Sequence, residues 1–404
     1  MRCLMSLALL LCAATARAAP DAPASSAVPA TVAVAFDRHG VRPLLAEGLA
    51  DRATGRRVTA DDPVRVASIS KLITALGVLR LVEAGQLELD RDVSAYLGWP
   101  LRNPAFPDRP ITLRLLLSHR SSLTDGADYL VPLGETLRSR LADPRAWDPV
   151  HPPGSDWFHY TNLNFPVIAA VMERATGERF DRLMTRLVFA PLRLDACFNW
   201  SGCSPAAVRR AVVLYRAGGE VARDDLRGAR PCPVGLADGA ACDLAPYRPG
   251  DNGALFSPQG GLRIAMRGLA RIGRMLARGG DGFLSPQSLA LLPAPQWRLN
   301  GSNGLDEDGT ATGLFCAYGL ALQRLGEGGP GCHDGLFRDG RARLGHSGDA
   351  YGLRSGLWFD PLSGRGLVYF TTAVDPADRG RRSAFSAPEE RLIDRLTGGT
   401  GVWP

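Results

Sequence analysis

Lysine is almost missing from this 404-residue chain: of its 47 basic residues, only Lys71 is lysine and all the others are arginine. Arginine keeps its proton at any physiological pH, so the arginines are excluded as proton acceptors. A lysine held among apolar groups or other cations can give its proton up. Histidine is scarce too, at six residues. No two histidines share a ligand-like spacing with each other or with the cysteines, which argues against zinc, and no metal or cofactor is expected. Net charge is only +6 and is dispersed along the chain, without a basic run or interleaved aromatics, so nucleic-acid binding has no footprint. Beyond the first residues no apolar run nears the length of a membrane span, and no internal repeat is visible.

Residues 1–18 read as a secretory signal: Met1-Arg2, an apolar run from Leu4 to Ala14, and Ala16-Arg17-Ala18 as a small-x-small cleavage site. Cys12 follows three leucines rather than the small residues of a lipoprotein site, so a soluble, periplasmic or secreted protein without stable membrane insertion is expected. Removing Arg2 and Arg17 takes the net charge to +4. Six cysteines remain: Cys197, Cys203, Cys232, Cys242, Cys316 and Cys332. An even number in an oxidising compartment favours disulfides. Six cysteines allow about 15 pairings and the sequence selects none of them; the nearest-neighbour set is the expectation, each pair closing a short loop containing Gly or Pro.

The lone lysine stands three places after a serine, in Ser68-Ile69-Ser70-Lys71, followed by Leu72, Ile73, Leu76 and Leu79. That recurrence marks a buried helix face. Residues three apart are neighbours on a helix, so Ser68 and Lys71 would meet. A serine hydroxyl needs a base before it attacks, and Lys71 is a candidate for all or half of that base. By chance alone a lysine would have such a serine about one time in eighteen, the false-positive risk of any short motif.

Ala19 to Ala30 is Ala/Pro/Ser-rich and reads as a disordered leader. Thr31 to Phe36 and Val41 to Leu49 read as paired strands around Arg38-His39-Gly40. Helical patterns follow after Thr112, from Phe165 to Thr176, Phe180 to Val188, Ala206 to Arg216 and Ile264 to Ala277. Strand patterns return at Cys316 to Gln323, Gly352 to Phe359 and Gly366 to Thr372. A last helix over Pro388 to Leu396 opens on a capping box, Ser386 with Glu389. Strands at both ends and helices between predict an α/β (α+β) fold: an antiparallel sheet assembled from both chain ends, flanked by helices, with an inserted helical lobe. The catalytic domain would span 31–404, with its sheet lobe at 31–85 and 315–404 and its helical lobe at 86–314.

Two further clusters carry chemistry. Tyr160-Thr161-Asn162, on a turn before the helix that stops at Gly177, offers a phenol to move a proton with an amide beside it. Gly345-His346-Ser347-Gly348 precedes the Gly352 strand, where small residues would admit a substrate to a free edge. In this order and spacing the three clusters resemble the serine β-lactamase-like, penicillin-recognising hydrolases, which include class C β-lactamases, D-Ala-D-Ala carboxypeptidases, D-aminopeptidases and related esterases. Val66 to Lys71 is similar to the nucleophile box, Ile111 to Leu123 to the Leu-Leu-x-His-Thr-Ser-Gly-Leu segment, and Gln259 to Leu262 to the Gly-Gly-Leu turn.

The resemblance implies that Ser68 is the nucleophile and forms an acyl-enzyme, that Lys71 and Tyr160 share the activating proton, and that Asn162 bonds Lys71 and the substrate amide. It puts His346 and Ser347 where the third motif commonly has lysine and threonine, next to Gly348, and the oxyanion donors at the N–H groups of Ser68 and Asp349. A histidine of ordinary pKa near ~6.5 would attract a substrate carboxylate less than lysine does. The expected substrates are therefore small-molecule or peptide esters and amides. D,D-peptidase or β-lactamase action and a silent binding protein of the same fold are the alternatives, and oligomeric state is left open. Arg120 and Ser122 depart from Thr and Gly, and Gly268 from an aspartate. His119 reads as a buried core histidine and Trp157 and Phe158 as core anchors.

Overall fold

The computed structural model describes residues 28–307 and 309–399, so the expected signal and most of the leader lie outside the described residues. Strand β1 (Thr31–Phe36) turns at Arg38–Gly40 into β2 (Val41–Glu47), and β3 (Pro63–Arg65) runs into helix α1 (Ile69–Glu83). Helices α2 (Leu113–Leu117) and α3 (Asn164–Thr176) follow, then β4 (Leu262–Ala265) leads directly into α4 (Met266–Ala277). Strands β5 (Trp297–Arg298), β6 (Ala317–Tyr318), β7 (Gln323–Leu325), β8 (Arg343–Ala350), β9 (Leu353–Phe359) and β10 (Gly366–Thr371) precede α5 (Ala387–Thr397).

Eight strands form one antiparallel sheet in the order β5-β6-β7-β8-β9-β10-β1-β2. The amino-terminal pair thus completes a sheet begun by the last third of the chain, Val32 pairing with Phe370. Alternation along the strands separates two apolar layers. Val32, Val34, Phe36, Val368 and Phe370 join the main core, while Ala33, Leu367 and Tyr369 face the cluster under α5 with Leu392 and Ile393. The capping box closes α5: the Ser386 side chain accepts from Glu389 N–H while the Glu389 side chain accepts from Ser386 N–H. On the other face α4 packs against β1, β2, β9 and β10. Gly273 makes that contact possible, because a Cβ there would lie 2.3 Å from the Phe36 ring.

That packing corrects the lobe boundary. Residues 86–314 are not all inserted lobe, since α4 and β5 belong to the sheet layer; α4 buries Leu269, Ala270 and Ile272, and sequence order alone does not tell which layer such a face meets. Local readings shift as well. The helix expected over 206–216 ends at Arg209 and Leu214–Tyr215 is a strand, because Val212 and Val213 donate to the carbonyls of Pro63 and Ala50 instead of continuing the helix. Cys316 to Gln323 is two short strands of a hairpin rather than one, broken where Ala321 takes a left-handed φ of 49°. Gly345 to Gly348 lies inside β8, immediately before the expected strand, β9. The three disulfides are Cys197–Cys203, Cys232–Cys242 and Cys316–Cys332, and no helix among the described residues is long and apolar enough to cross a membrane.

Candidate active site

The site begins at a backbone irregularity. Ala67 has φ 48°, a conformation that costs an L-residue about 1–3 kcal/mol and persists only when neighbours enforce it. Here they do: Val66 N–H donates to Leu262, and Ser355 Oγ donates to the Val66 carbonyl at 3.0 Å. Gly348 permits this approach of β8, since a Cβ there would lie 2.5 Å from the Val66 oxygen. The kink leaves Ser68 half-buried at the start of α1 with the cleft before it. Ser70, two residues on, is a fully buried tie. It donates to Ala67 O at 2.6 Å and accepts from Leu262 N–H at 3.0 Å.

Lys71 is fully buried, and its Nζ donates to Ser68 Oγ at 3.0 Å, to Asn162 Oδ1 at 2.7 Å and to the Gln259 carbonyl at 3.3 Å. Burial removes the water that would stabilise the ammonium and brings its pKa down to about 8, although Glu307 and then Asp125 pull it upward. Both acids act through Asn162, whose amide Nδ2 donates to Glu307 Oε1 at 2.6 Å and to Asp125 Oδ2 at 3.1 Å. Asp125 also accepts from the N–H groups of Asn162 and Leu163. Reading the sequence missed both acids. Asp125 follows the His119 segment and offered a positional signal, whereas Glu307 sits in the irregular 300–314 stretch and offered none.

Tyr160 is stacked between His119 and Phe315, with ring centroids 4.4 and 4.5 Å away. Lys71 Nζ lies 4.7 Å from its centroid. Burial holds the phenol pKa well above its ordinary value, reinforced by Tyr318 and Glu307 and opposed by a hydrogen bond with Ser68. His119 is buried and accepts at Nδ1 from Thr161 N–H at 3.0 Å. Burial and Lys71⁺ keep it neutral. Phe158 is fully buried in the same aromatic cluster, and Trp157 stacks on His151 at 3.8 Å. Arg120 fastens the turn before Tyr160 by donating to the carbonyls of Gly154 and Ser155. Ser122 takes φ 68° where the family pattern has glycine.

Pairing of β8 with β7 stops at Gly345, so residues 346–350 run on beyond that partner. Ser347, Gly348 and Asp349 line a cleft of about 370 Å³ together with Ser68 and Tyr160. His346 does not line it. Its ring is fully buried, Nδ1 lies 2.6 Å from the Ser347 carbonyl and Nε2 2.8 Å from Tyr318 Oη. A carbonyl only accepts, so Nδ1 carries the proton and Tyr318 donates to Nε2. Burial, then Lys71, hold the ring's pKa down to about 3, and the pKa near 6.5 expected for an exposed ring does not apply. Arg354, the cation of the next strand, forms an ion pair with Asp349. The rest of the cleft carries Asp306, Glu307, Asp378 and Glu389 against Arg379.

The Beta-lactamase family pattern matches residues 16–388. The chain is 34% identical over 275 residues to Esterase EstB of Burkholderia gladioli, a stretch covering 63% of this chain and 66% of that protein. It is 28% identical over 253 residues to Penicillin-binding protein 4 of Amycolatopsis lactamdurans, covering 61% of each. These matches thus span under two thirds of either relative's length. Among solved structures, the octameric penicillin-binding protein homologue from Pyrococcus abyssi shares the fold with a TM-score of 0.64 at 18% identity, over 93% of this chain and 74% of that one. The D-amino acid amidase from Ochrobactrum anthropi SV3 complexed with L-phenylalanine does so with 0.63 at 18% identity, over 92% and 93%. With a family match over most of its length and the sheet-and-helix architecture to go with it, the chain belongs to the beta-lactamase family.

Proposed function

We propose that this protein is an exported serine hydrolase that cleaves an ester or amide through an acyl-enzyme on Ser68. The observation that carries the reading is the 3.0 Å contact between Ser68 Oγ and a lysine whose pKa is brought to about 8 by burial. At pH 7 about a tenth of such lysines are neutral, against a few in ten thousand at the ordinary lysine pKa. Lys71 is then the proton acceptor. Tyr160, held protonated in the resting site, passes a proton onward to the leaving group and is replenished from Lys71. Asn162 fixes the Lys71 nitrogen at 2.7 Å, and the N–H groups of Ser68 and Asp349 receive the developing oxyanion; one such donor is typically worth about 3 kcal/mol.

Substrates without a free carboxylate at the Asp349 end fit this reading better than peptides ending in a D-amino acid. Arg354 is engaged by Asp349, His346 is uncharged and turned away, and the cleft is rich in carboxylates. Export is supported by the three disulfides. The test is intact-mass and peptide mapping after a fluorophosphonate probe, with p-nitrophenyl esters as substrates. Ser68 should carry the label and Ser68→Ala should abolish labelling and turnover. Label appearing elsewhere, or surviving Ser68→Ala, removes the nucleophile.

A further inference from the structure

A second charged cluster flanks the nucleophile turn from the other direction, and the acyl-enzyme reading makes no use of it. Arg65 ends β3, three residues before Ser68, and is only 7% exposed. Its guanidinium lies 5.1 Å from the centroid of Tyr351, and Nε has no hydrogen-bond partner. A buried cation without a carboxylate is costly and calls for compensation. Among the described residues no carboxylate forms an ion pair with it, and Tyr351 and the charge of Asp224 compensate it only in part. Asp224, the acid that acts on Arg65, is committed elsewhere: its Oδ1 and Oδ2 accept from Arg263 at 2.8 and 3.2 Å, and Oδ1 also accepts from Trp200 Nε1. Asp225 pairs with Arg227.

The deficit grows with Arg223, exposed at the end of the short strand Val221–Arg223, whose guanidinium stands 5.4 Å from the same Tyr351 ring. Two arginines thus stand against one tyrosine ring, with a third, Arg263, paired to Asp224. Burial above all, then the charge of Arg263 and last that of Arg223, lowers Arg65 to a pKa of about 10, which still leaves it charged at neutral pH. The cluster adjoins the reacting serine. A side chain at Gly260 would touch an Arg65 terminal nitrogen at 3.5 Å, and Gly260 follows Gln259, whose carbonyl holds Lys71. Tyr351 comes two residues after Asp349 of the cleft. Half-buried Tyr129 is within electrostatic reach of Glu307 and Asp125 on one side and of Tyr351 and Arg65 on the other.

We propose that Arg65 and Arg223, set against Tyr351, form an anion-binding subsite beside Ser68 that receives a carboxylate carried by the substrate. Planar guanidinium groups match a carboxylate with paired N–H donors. Three residues of chain put the Arg65 and Ser68 Cα atoms at most about 11 Å apart, so the linker between the reacting carbonyl and the second carboxylate is a short one. The subsite names a substrate class, esters or amides of dicarboxylic or otherwise acidic acyl groups, and for turnover it rests on the acyl-enzyme reading. The carboxylate in question belongs to the acyl group and is not the terminal carboxylate that the Asp349–Arg354 pair leaves without a free cation.

Two measurements separate the two claims. The first needs no catalysis: thermal unfolding of the full chain in adipate or sulfate against chloride at equal ionic strength. The wild type should gain a saturable rise in Tm that Arg223→Glu lacks and Arg65→Gln lacks; an equal rise in all three proteins overturns the subsite. The second compares kcat/KM for mono-p-nitrophenyl adipate with that for p-nitrophenyl hexanoate, which has the same chain length. The adipate-to-hexanoate ratio should fall at least tenfold in either variant, and an unchanged ratio overturns the proposal. Should Arg65→Gln not fold, surface-exposed Arg223→Glu carries both tests. Absence of turnover by the wild type on both esters counts against the acyl-enzyme reading, while the Tm comparison still decides the subsite.

Discussion

Glu307→Gln is the perturbation that best tests whether Lys71 is the base. Glu307 is the strongest of the groups holding the Lys71 pKa up, and it reaches the ammonium through the Asn162 amide. Two hydrogen bonds with an amide between them put the charges on the order of 7 Å apart. Their attraction is then roughly 0.6 kcal/mol in bulk water and about 2.4 kcal/mol at an effective dielectric near 20. Glu307 is exposed, so screening favours the lower part of that range. At about 1.4 kcal/mol per pKa unit, the variant should lower the Lys71 pKa from about 8 by roughly half a unit to one and a half. The glutamine keeps a carbonyl for the Asn162 amide, so the geometry has no reason to change. The assay is the second-order rate of fluorophosphonate labelling of Ser68 as a function of pH. In the wild type it should rise tenfold per pH unit up to about 8 and then level; in Glu307→Gln the break should move to lower pH with the plateau nearly kept. An unmoved break, or one moved upward, would show that the titrating group is not Lys71.

Lys71→Arg retains a cation that cannot be deprotonated, and should reduce kcat by more than about 10³ while circular dichroism and Tm stay near wild type; activity within tenfold would mean that Lys71 supplies only charge. His346 titrates at about 3 when folded and near its ordinary 6.5 when unfolded, so the unfolded chain binds the extra proton between those values. Its contribution to stability is therefore complete above pH 6.5 and is lost as pH falls toward 3, by about 1.4 kcal/mol per unit. Urea unfolding at pH 7, 5 and 4 would read this, His346→Gln should flatten that part of the slope, and no kcat/KM limb near 6.5 should belong to His346.

What the sequence by itself determined was set by short-range geometry. A serine and a lysine three apart on an apolar helix must be neighbours, strand periodicity at the two ends calls for one sheet, and Ser386 with Glu389 caps a helix whatever surrounds it. Tyr160 and Asn162 were legible as chemistry from their place on a turn before a helix. The quantities that turn these residues into a site are long-range and belong to the tertiary structure. Whether Lys71 titrates near 8 or near 10.5 depends on how completely α3, Gln259 and Tyr160 exclude water from it. The two acids that counter that burial come from residues 125 and 307, far apart in the chain. His346 shows the same limit in reverse: its identity predicted a titrating, substrate-facing ring, but a β-strand places successive side chains on opposite faces, and packing against Tyr318 decides that this one is buried and neutral. The unpaired charge of Arg65 likewise follows from where Asp224 directs its two oxygens, which only the fold decides, because ionic pairing is a matter of distance and orientation in space rather than of order along the chain.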